Sequence, residues 1–280
     1  MYSIGIDIGG TQARVALVDP QMNIVEKKTP PTAKRELEDV LEDLIKLIKE
    51  VDPQEKAQVV GIASAGPLDI EKGIILDAPN LINWAYKPFA SVIRERTRLP
   101  SFLTNDANAA ALAQDIGNKT YDSLMFITVS TGIGGGIVYK HQLIEGRFGY
   151  AGEIGSMIIS DYDAKHDQLY KGSLESLCSG KALASWASEV FKQEMDAKDL
   201  FDLYYQAHPQ AIEIIDQWVE LFSRAIASLL QILEPEIFYL GGSVIINNPF
   251  LLEKIKTKSQ EMVFDGLKDK IVLELAKHEE

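Results

Sequence analysis

The sequence predicts a mixed α/β protein of two related lobes with a cleft between them. Two glycine-rich turns lie about one domain apart, Gly5-Ile6-Asp7-Ile8-Gly9-Gly10-Thr11 near the start and Val129-Ser130-Thr131-Gly132-Ile133-Gly134-Gly135-Gly136 near the middle, each between apolar runs. After each turn, helix-spaced apolar stripes alternate with short strand-like runs, the signature of α/β units. The two halves repeat one plan, with a boundary near Leu112 to Asn118 and lobes at 1–115 and 116–280. A chain of 280 residues is long enough for each lobe to bury its own core.

After the first turn, Val15 and Leu17 alternate with smaller or polar residues, so the unit reads strand, tight turn, strand. Leu37, Val40, Leu41, Leu44, Ile45, Ile48 and Val51 recur at helical spacing and predict an amphipathic helix over 35–51 that Pro53 ends. A buried strand follows at 58–63, then a turn at 65–69, a helix over about 89–97, a short strand at 101–104 and an alanine-rich helix over 107–116. Strands at 124–129 and 137–139 flank the second turn. Helices are expected near 174–191 and 210–233, the latter ended by Pro235, then a strand at 236–240 running into Gly241-Gly242. A helix over 249–264 and a last strand at 271–275 complete the chain.

The turns have a chemical reading. Both the phosphate loop GxxxxGK[ST] and the dinucleotide fingerprint GxGxxG open a helix, and neither is present here. Glycine permits positive φ and close approach, so that successive N–H groups converge on an anion, and Thr11 adds a hydroxyl donor. The first turn alone also fits an ordinary hairpin. A pair of such turns points to a nucleotide gripped from two sides.

Hydrophobic residues make up 46% and charged residues 25% of the chain, an ordinary globular balance. The net charge of −13 argues against nucleic acid or an anionic membrane as partner, while ATP held by a metal ion and backbone amides remains compatible. Cys178 is the only cysteine, so no intrachain disulfide forms and a reducing compartment is expected. No apolar run approaches the ~20 residues of a membrane helix, and Met1 to Asp7 lacks the basic and apolar regions of a signal peptide. A cytoplasmic protein is the expectation.

Thr104-Asn105-Asp106-Ala107-Asn108 sits where a strand meets a helix. A carboxylate there lies at the positive end of the helix dipole. Asp106 reads either as an N-cap or, beside two phosphate-binding turns, as a general base for a hydroxyl attacking a γ-phosphoryl group.

The chain resembles the sugar kinases of the ROK family. GIDIGGT at the start, APNLINW at 78–84, TNDAN at 104–108, STGIGGGI at 130–137, GYAGEIGS at 149–156, GSLES at 172–176 and LGGS at 240–243 follow in that family's order. The resemblance implies a two-lobed, actin-like ATPase (ribonuclease H-like) fold that closes on ATP and a hexose and phosphorylates the 6-hydroxyl. By position, Asp106 is the implied base, and Asn105, Asn80, Glu153 and Glu175 are implied sugar ligands, with Gly66 in the loop beside the sugar. Asp7 matches the residue that positions Mg²⁺, usually through water. Gly9, Gly10, Thr11, Thr131, Gly132 and Gly134 match the phosphate turns, and Gly241 and Gly242 match residues flanking the adenosine. The family also implies a homodimer. Ionised carboxylates and Asn suit a ring of hydroxyls, and phosphoryl transfer needs positioning and charge stabilisation that amides and Mg²⁺ supply.

Many ROK proteins carry a zinc site of one histidine and three cysteines. Here those positions read Ser156, His166, Gln168 and Ser173, so no structural zinc is expected and His166 is read as an exposed loop residue. The family histidine also contacts the sugar, so Ser156 leaves glucose, N-acetylmannosamine, other hexoses and β-glucosides open. The chain ends about where the family continues into a further strand-to-helix segment. A β-glucoside kinase, a non-catalytic sugar sensor and a regulator without a DNA-binding domain are the alternatives. Family repressors carry an N-terminal helix-turn-helix, whereas here the first turn begins within about five residues of the start.

Overall fold

A computed structural model of the chain describes residues 1–33, 35–66, 68–76, 84–118, 120–161 and 169–277. These divide into two compact units, Met1–Ala109 with Gly146–Tyr150, and Ala110–Glu145 with Ala151–Glu280.

In the first unit, β1 (Tyr2–Ile8), β2 (Ala13–Val18) and β3 (Ile24–Lys28) form an antiparallel meander, followed by α1 (Leu37–Val51) and β4 (Ala57–Ser64). A short hairpin of β5 (Leu68–Asp69) and β6 (Ile74–Ile75) comes next, then α2 (Ala90–Thr97), β7 (Ser101–Asn105) and the first turn of α3 (Asp106–Gly117), whose residues from Ala110 on belong to the second unit. The sheet order is β3-β2-β1-β4-β7, with β4 and β7 parallel to β1. Side chains alternate between the faces of a strand. Ile4, Ile6 and Ile8 of β1, Val15 and Leu17 of β2, and Val60 and Ile62 of β4 therefore point into one buried face, which the apolar stripe of α1 covers. The opposite face carries a different row: Arg14, Asp7, Ala63 and Thr104 are register partners across β2, β1, β4 and β7. Register thus sets Asp7 level with Thr104, two residues before Asp106, with β4 between their strands.

The second unit repeats this plan. β8 (Ser123–Val129), β9 (Ile133–Tyr139) and β10 (Gln142–Leu143) form a meander, and helices α4 (Leu174–Cys178), α5 (Gly180–Phe191), α6 (Ala197–Tyr205) and α7 (Pro209–Leu233) follow. Then come β11 (Ile237–Gly241), α8 (Ser243–Ile246), α9 (Leu251–Gln260) and β12 (Leu273–Leu275). The order β10-β9-β8-β11-β12 matches the first sheet strand for strand, with β11 and β12 again the parallel pair. The long α7 starts at Pro209, where the missing N–H costs nothing. It buries Trp218 stacked on Phe222 at 5.0 Å, and the Trp218 indole N–H donates to the Cys178 carbonyl at 2.8 Å.

Several expectations need correction. The first helix starts at Leu37 rather than Arg35, because the Arg35 guanidinium pairs with Asp43 at 2.7 Å and its carbonyl accepts from the Trp84 indole. The single helix expected near 174–191 is two, broken at Ser179, whose hydroxyl accepts from the Ala182 N–H and starts α5 afresh. Residues 68–69 are strand rather than turn. Helix α6 was not foreseen, although Asp196 and Asp199 form a reciprocal capping box that the spacing could have revealed. Among the described residues no helix is long and apolar enough to cross a membrane.

A charged clasp joins α3 to the β9–β10 turn. His141 Nδ1 lies 3.0 Å from Asp115 Oδ1, and Nε2 lies 3.3 Å from Asp122 Oδ1. The Asp115 hydrogen bond, with Asp122 adding, raises the imidazole pKa above its usual 6.5. A raised folded-state pKa stabilises the fold below the unfolded value, and that contribution is lost as pH rises through the folded value. The expected result is that the thermal midpoint of the native protein exceeds that of His141→Gln at about pH 6 and that the margin shrinks toward about pH 9. A margin constant with pH would show that the ion pairs contribute nothing.

Candidate active site

Two tight turns have the same construction. In the first, Gly9 N–H donates to the Gln12 carbonyl at 2.9 Å, and residues beyond β3 hold the turn from outside. The buried Thr32 hydroxyl donates to the Gly9 carbonyl at 2.6 Å and the Thr32 N–H to the Thr11 carbonyl at 2.9 Å. In the second, Ser130 N–H donates to the Gly132 carbonyl at 2.9 Å, and the start of α5 is tied to it by Gly180 N–H to the Ser130 carbonyl at 2.7 Å. Among the described residues the amides of Gly10 and Thr11, and those of Thr131 and Gly132, donate to no backbone carbonyl. Each turn thus presents two successive N–H groups, the arrangement that suits an anion.

The reason for the glycines differs from the sequence expectation. Neither turn uses positive φ at Gly9, Gly10, Gly132 or Gly134. Close approach is the cause instead: a Cβ on Gly9 would stand 3.0 Å from the Gln12 carbonyl oxygen, and one on Gly132 would stand 2.8 Å from Glu175 Oε2. Gly134 is half-buried in β9 opposite Thr128. Gly242 does need positive φ, at +81°, and a Cβ there would stand 2.3 Å from the Val129 carbonyl oxygen at the end of β8. Gly241 is the buried last residue of β11 and accompanies it.

At the end of β7 the N-cap reading of Asp106 gives way. The cap is Asn105, whose Oδ1 accepts from Ala107 N–H at 2.9 Å and Asn108 N–H at 3.4 Å. Asp106 is the first residue of α3, with Oδ1 accepting from Ala107 N–H at 2.7 Å and its surface open to solvent. Protein mass around the carboxylate nonetheless raises its pKa, with the Asp7 carboxylate adding to the effect and the Ala107 amide opposing it. An accessible carboxylate with a raised pKa suits a base. On either side of it in the chain, Thr104 Oγ1 and Asn108 Oδ1 are buried without a hydrogen-bond partner among the described residues.

Asp7 is held by Arg14, Nη1 to Oδ2 at 2.6 Å across the strand pair. Sequence reasoning passed over Arg14. A tight turn symmetric about Gly10 and Thr11 pairs residue 7 with residue 14, and that count was the available signal. Gly66 follows β4 and is half-buried. One unit therefore gathers Asp7, Gly9, Gly10, Thr11, Gly66, Asn105 and Asp106.

The other unit gathers Thr131, Gly132, Gly134, Glu153, Glu175, Gly241 and Gly242. Glu153 is exposed and opens the 3₁₀ turn Ile154–Ser156, where Ser156 N–H donates to its carbonyl at 3.2 Å. Glu175 lies on α4 with its carboxylate turned to the second glycine turn, Oε2 accepting from Ile133 N–H at 2.8 Å. Ser173 caps α4 by accepting from Ser176 N–H, and Ser156 is exposed. Asn80, His166 and Gln168 lie outside the described residues.

Residues 3–280 match the ROK family profile. The chain belongs to the ROK family. Among its relatives is a glucokinase from Thermotoga maritima, 32% identical over 286 residues that span 96% of this chain and 86% of that protein. An N-acetylmannosamine kinase from Salmonella typhi is 31% identical over 254 residues, 90% of this chain and 86% of that protein. The ROK hexokinase from Thermus thermophilus superposes with a TM-score of 0.91 at 30% identity, over 100% of this chain and 94% of the other. The two sheets with their shared strand order are the actin-like α/β fold of the ROK sugar kinases.

Proposed function

We propose that this ROK protein transfers the γ-phosphoryl group of ATP to the 6-hydroxyl of a hexose or N-acetylhexosamine, with glucose and N-acetylmannosamine the leading substrates. The two curated relatives differ in sugar and agree in reaction, which supports the reaction class. The observation that carries the reading is Asp106, an accessible carboxylate whose pKa is raised, in the same unit as a turn with free amides. Asp106 takes the proton of the attacking hydroxyl, and its raised pKa makes it a stronger base. Asn105 spends Oδ1 on capping α3, which leaves its amide N–H groups to donate to a sugar oxygen. Glu153 and Glu175 accept from sugar hydroxyls, and Asn80 joins them by resemblance.

The amides of Gly10, Thr11, Thr131 and Gly132 receive phosphate oxygens without reorganising, which is how fixed dipoles stabilise developing charge. Asp7 suits a divalent cation of the Mg²⁺ class. Its oxygens are hard donors, and with Oδ2 on Arg14 the Oδ1 remains for a metal-bound water. When bound, Mg²⁺ neutralises phosphate charge. No structural zinc enters this reading, since the Ser173 hydroxyl is already committed to capping α4.

Coupled ADP release with Mg-ATP, across glucose, mannose, fructose, N-acetylmannosamine, N-acetylglucosamine and cellobiose, tests the proposal. Turnover is expected with glucose or N-acetylmannosamine. Turnover confined to cellobiose moves the assignment to a β-glucoside kinase, and no turnover with any sugar overturns the kinase reading.

A further inference from the structure

Glu175 does more than line a site. Its Oε2 accepts from Ile133 N–H, directly after the second glycine turn, at 2.8 Å. The same oxygen lies close to two glycines: a Cβ on Gly132 would stand 2.8 Å from Oε2, and one on Gly155 would stand 3.2 Å from it and 2.5 Å from the Ile133 carbonyl oxygen. Neither glycine has positive φ, and at Gly132 the three atoms nearest a Cβ all belong to the Glu175 carboxylate, at 2.8, 3.1 and 3.3 Å. Gly132 belongs to the phosphate turn, and Gly155 to the 3₁₀ turn that follows Glu153. One carboxylate is therefore packed against both segments. Among the described residues Oε2 is the oxygen that accepts a hydrogen bond, which leaves Oε1 for a ligand.

We propose that Glu175 is a positioning residue that couples sugar binding to the geometry of the nucleotide turn. The inference rests on the kinase reading above and deepens it. A sugar hydroxyl donating to Oε1 fixes the carboxylate, and the fixed carboxylate holds Ile133 N–H and the preceding turn in the shape that receives phosphate. Coupling of this kind is reciprocal, so nucleotide must tighten sugar by the same factor as sugar tightens nucleotide. Gly132 is thereby assigned a second role: its bare Cα keeps the seat of Glu175 open.

Isothermal titration of glucose and of N-acetylmannosamine, each with and without saturating Mg-AMPPNP, tests this on the full chain. The sugar that binds the native protein is expected to bind at least about fivefold tighter in the presence of the nucleotide. Gly132→Ala displaces only the far end of a flexible side chain, so the protein folds. Its sugar affinity measured without nucleotide falls about tenfold, an effect that a glycine serving phosphate alone would not produce. Glu175→Gln supplies a second readout that is independent of any packing change. An amide has one acceptor oxygen and serves either the turn or the sugar, so the coupling factor falls to within about twofold of unity. Native sugar affinity in Gly132→Ala, undiminished coupling in Glu175→Gln, or a native coupling factor of one would each overturn the coupling role while leaving the kinase reading intact. If the native protein binds no sugar at all, the kinase reading itself fails, and the coupling role with it.

Discussion

Replacing Asp106 by Asn is expected to lower kcat by about 10²- to 10⁴-fold, the usual contribution of a positioned general base, while sugar affinity changes only a few-fold. Asn keeps the shape and can still accept from Ala107 N–H, as the Asp106 carboxylate does at 2.7 Å, but it cannot take up a proton. The measurement is kcat against the sugar dissociation constant in the same preparation. A fall in affinity that accounts for the whole loss of rate would make Asp106 a sugar ligand only, and retained turnover would remove it from the chemistry.

The same substitution has an expected effect on stability of opposite sense. The folded-state pKa of Asp106 lies above its ordinary value of 3.8, chiefly because the protein packed around this surface-open carboxylate partly desolvates the charged form. The folded chain therefore binds the proton more tightly than the unfolded chain, and stability falls as pH rises from 3.8 through the raised value. Above that window the ionised carboxylate is a standing cost. Asp106→Asn removes it and is expected to melt at or above the native temperature at neutral pH, with the advantage vanishing in acid. In the native enzyme, kcat/KM should fall on the acid side with a midpoint above the ordinary Asp value, because a protonated Asp106 cannot act as base.

Much of this arrangement was legible in the sequence. The period-two alternation of Val15 and Leu17 in β2 and the helical stripe from Leu37 to Val51 are local signals, and the structure follows them closely. The correspondence of the two sheets was visible as a repeated strand, turn and strand. What local pattern could not reveal depends on contacts distant in sequence. Ser179 interrupts a run that reads as one helix because Gly180 N–H is needed by the Ser130 carbonyl, about fifty residues away in the chain. Asn105 rather than Asp106 caps α3, a choice between adjacent cap-forming residues that composition cannot decide. Gly132 looks like a turn glycine from its neighbours. Its actual constraint comes from Glu175, on a helix that begins after the last β10 residue and a long intervening segment.

Gly242→Ala is expected to destabilise the fold more than alanine at Gly9, Gly61 or Gly132. At φ +81° and ψ 158° its backbone lies where essentially only glycine is found, a conformation that costs other residues about 1–3 kcal/mol. Close contact adds to this, because a Cβ would stand 2.3, 2.5 and 2.6 Å from the O, C and N atoms of Val129. These are backbone atoms of a central strand and cannot rotate aside as the end of a glutamate can, so overpacking contributes about another 1–3 kcal/mol. Gly61→Ala is the control. It also sits in a central strand, but a Cβ there meets nothing within 4 Å, and the expected change is within about 0.5 kcal/mol. Denaturant midpoints of the two variants against the native chain measure the difference, and equal midpoints would show that the Val129 contact relaxes freely. The displacement has a functional side as well. Val129 is the last residue of β8 before Ser130, Thr131 and Gly132, so moving it moves the two free amides of the second turn. Gly242→Ala should therefore lose Mg-AMPPNP affinity even at temperatures where it remains folded, because the turn proposed to receive phosphate is built directly on the strand end that the new methyl group pushes away.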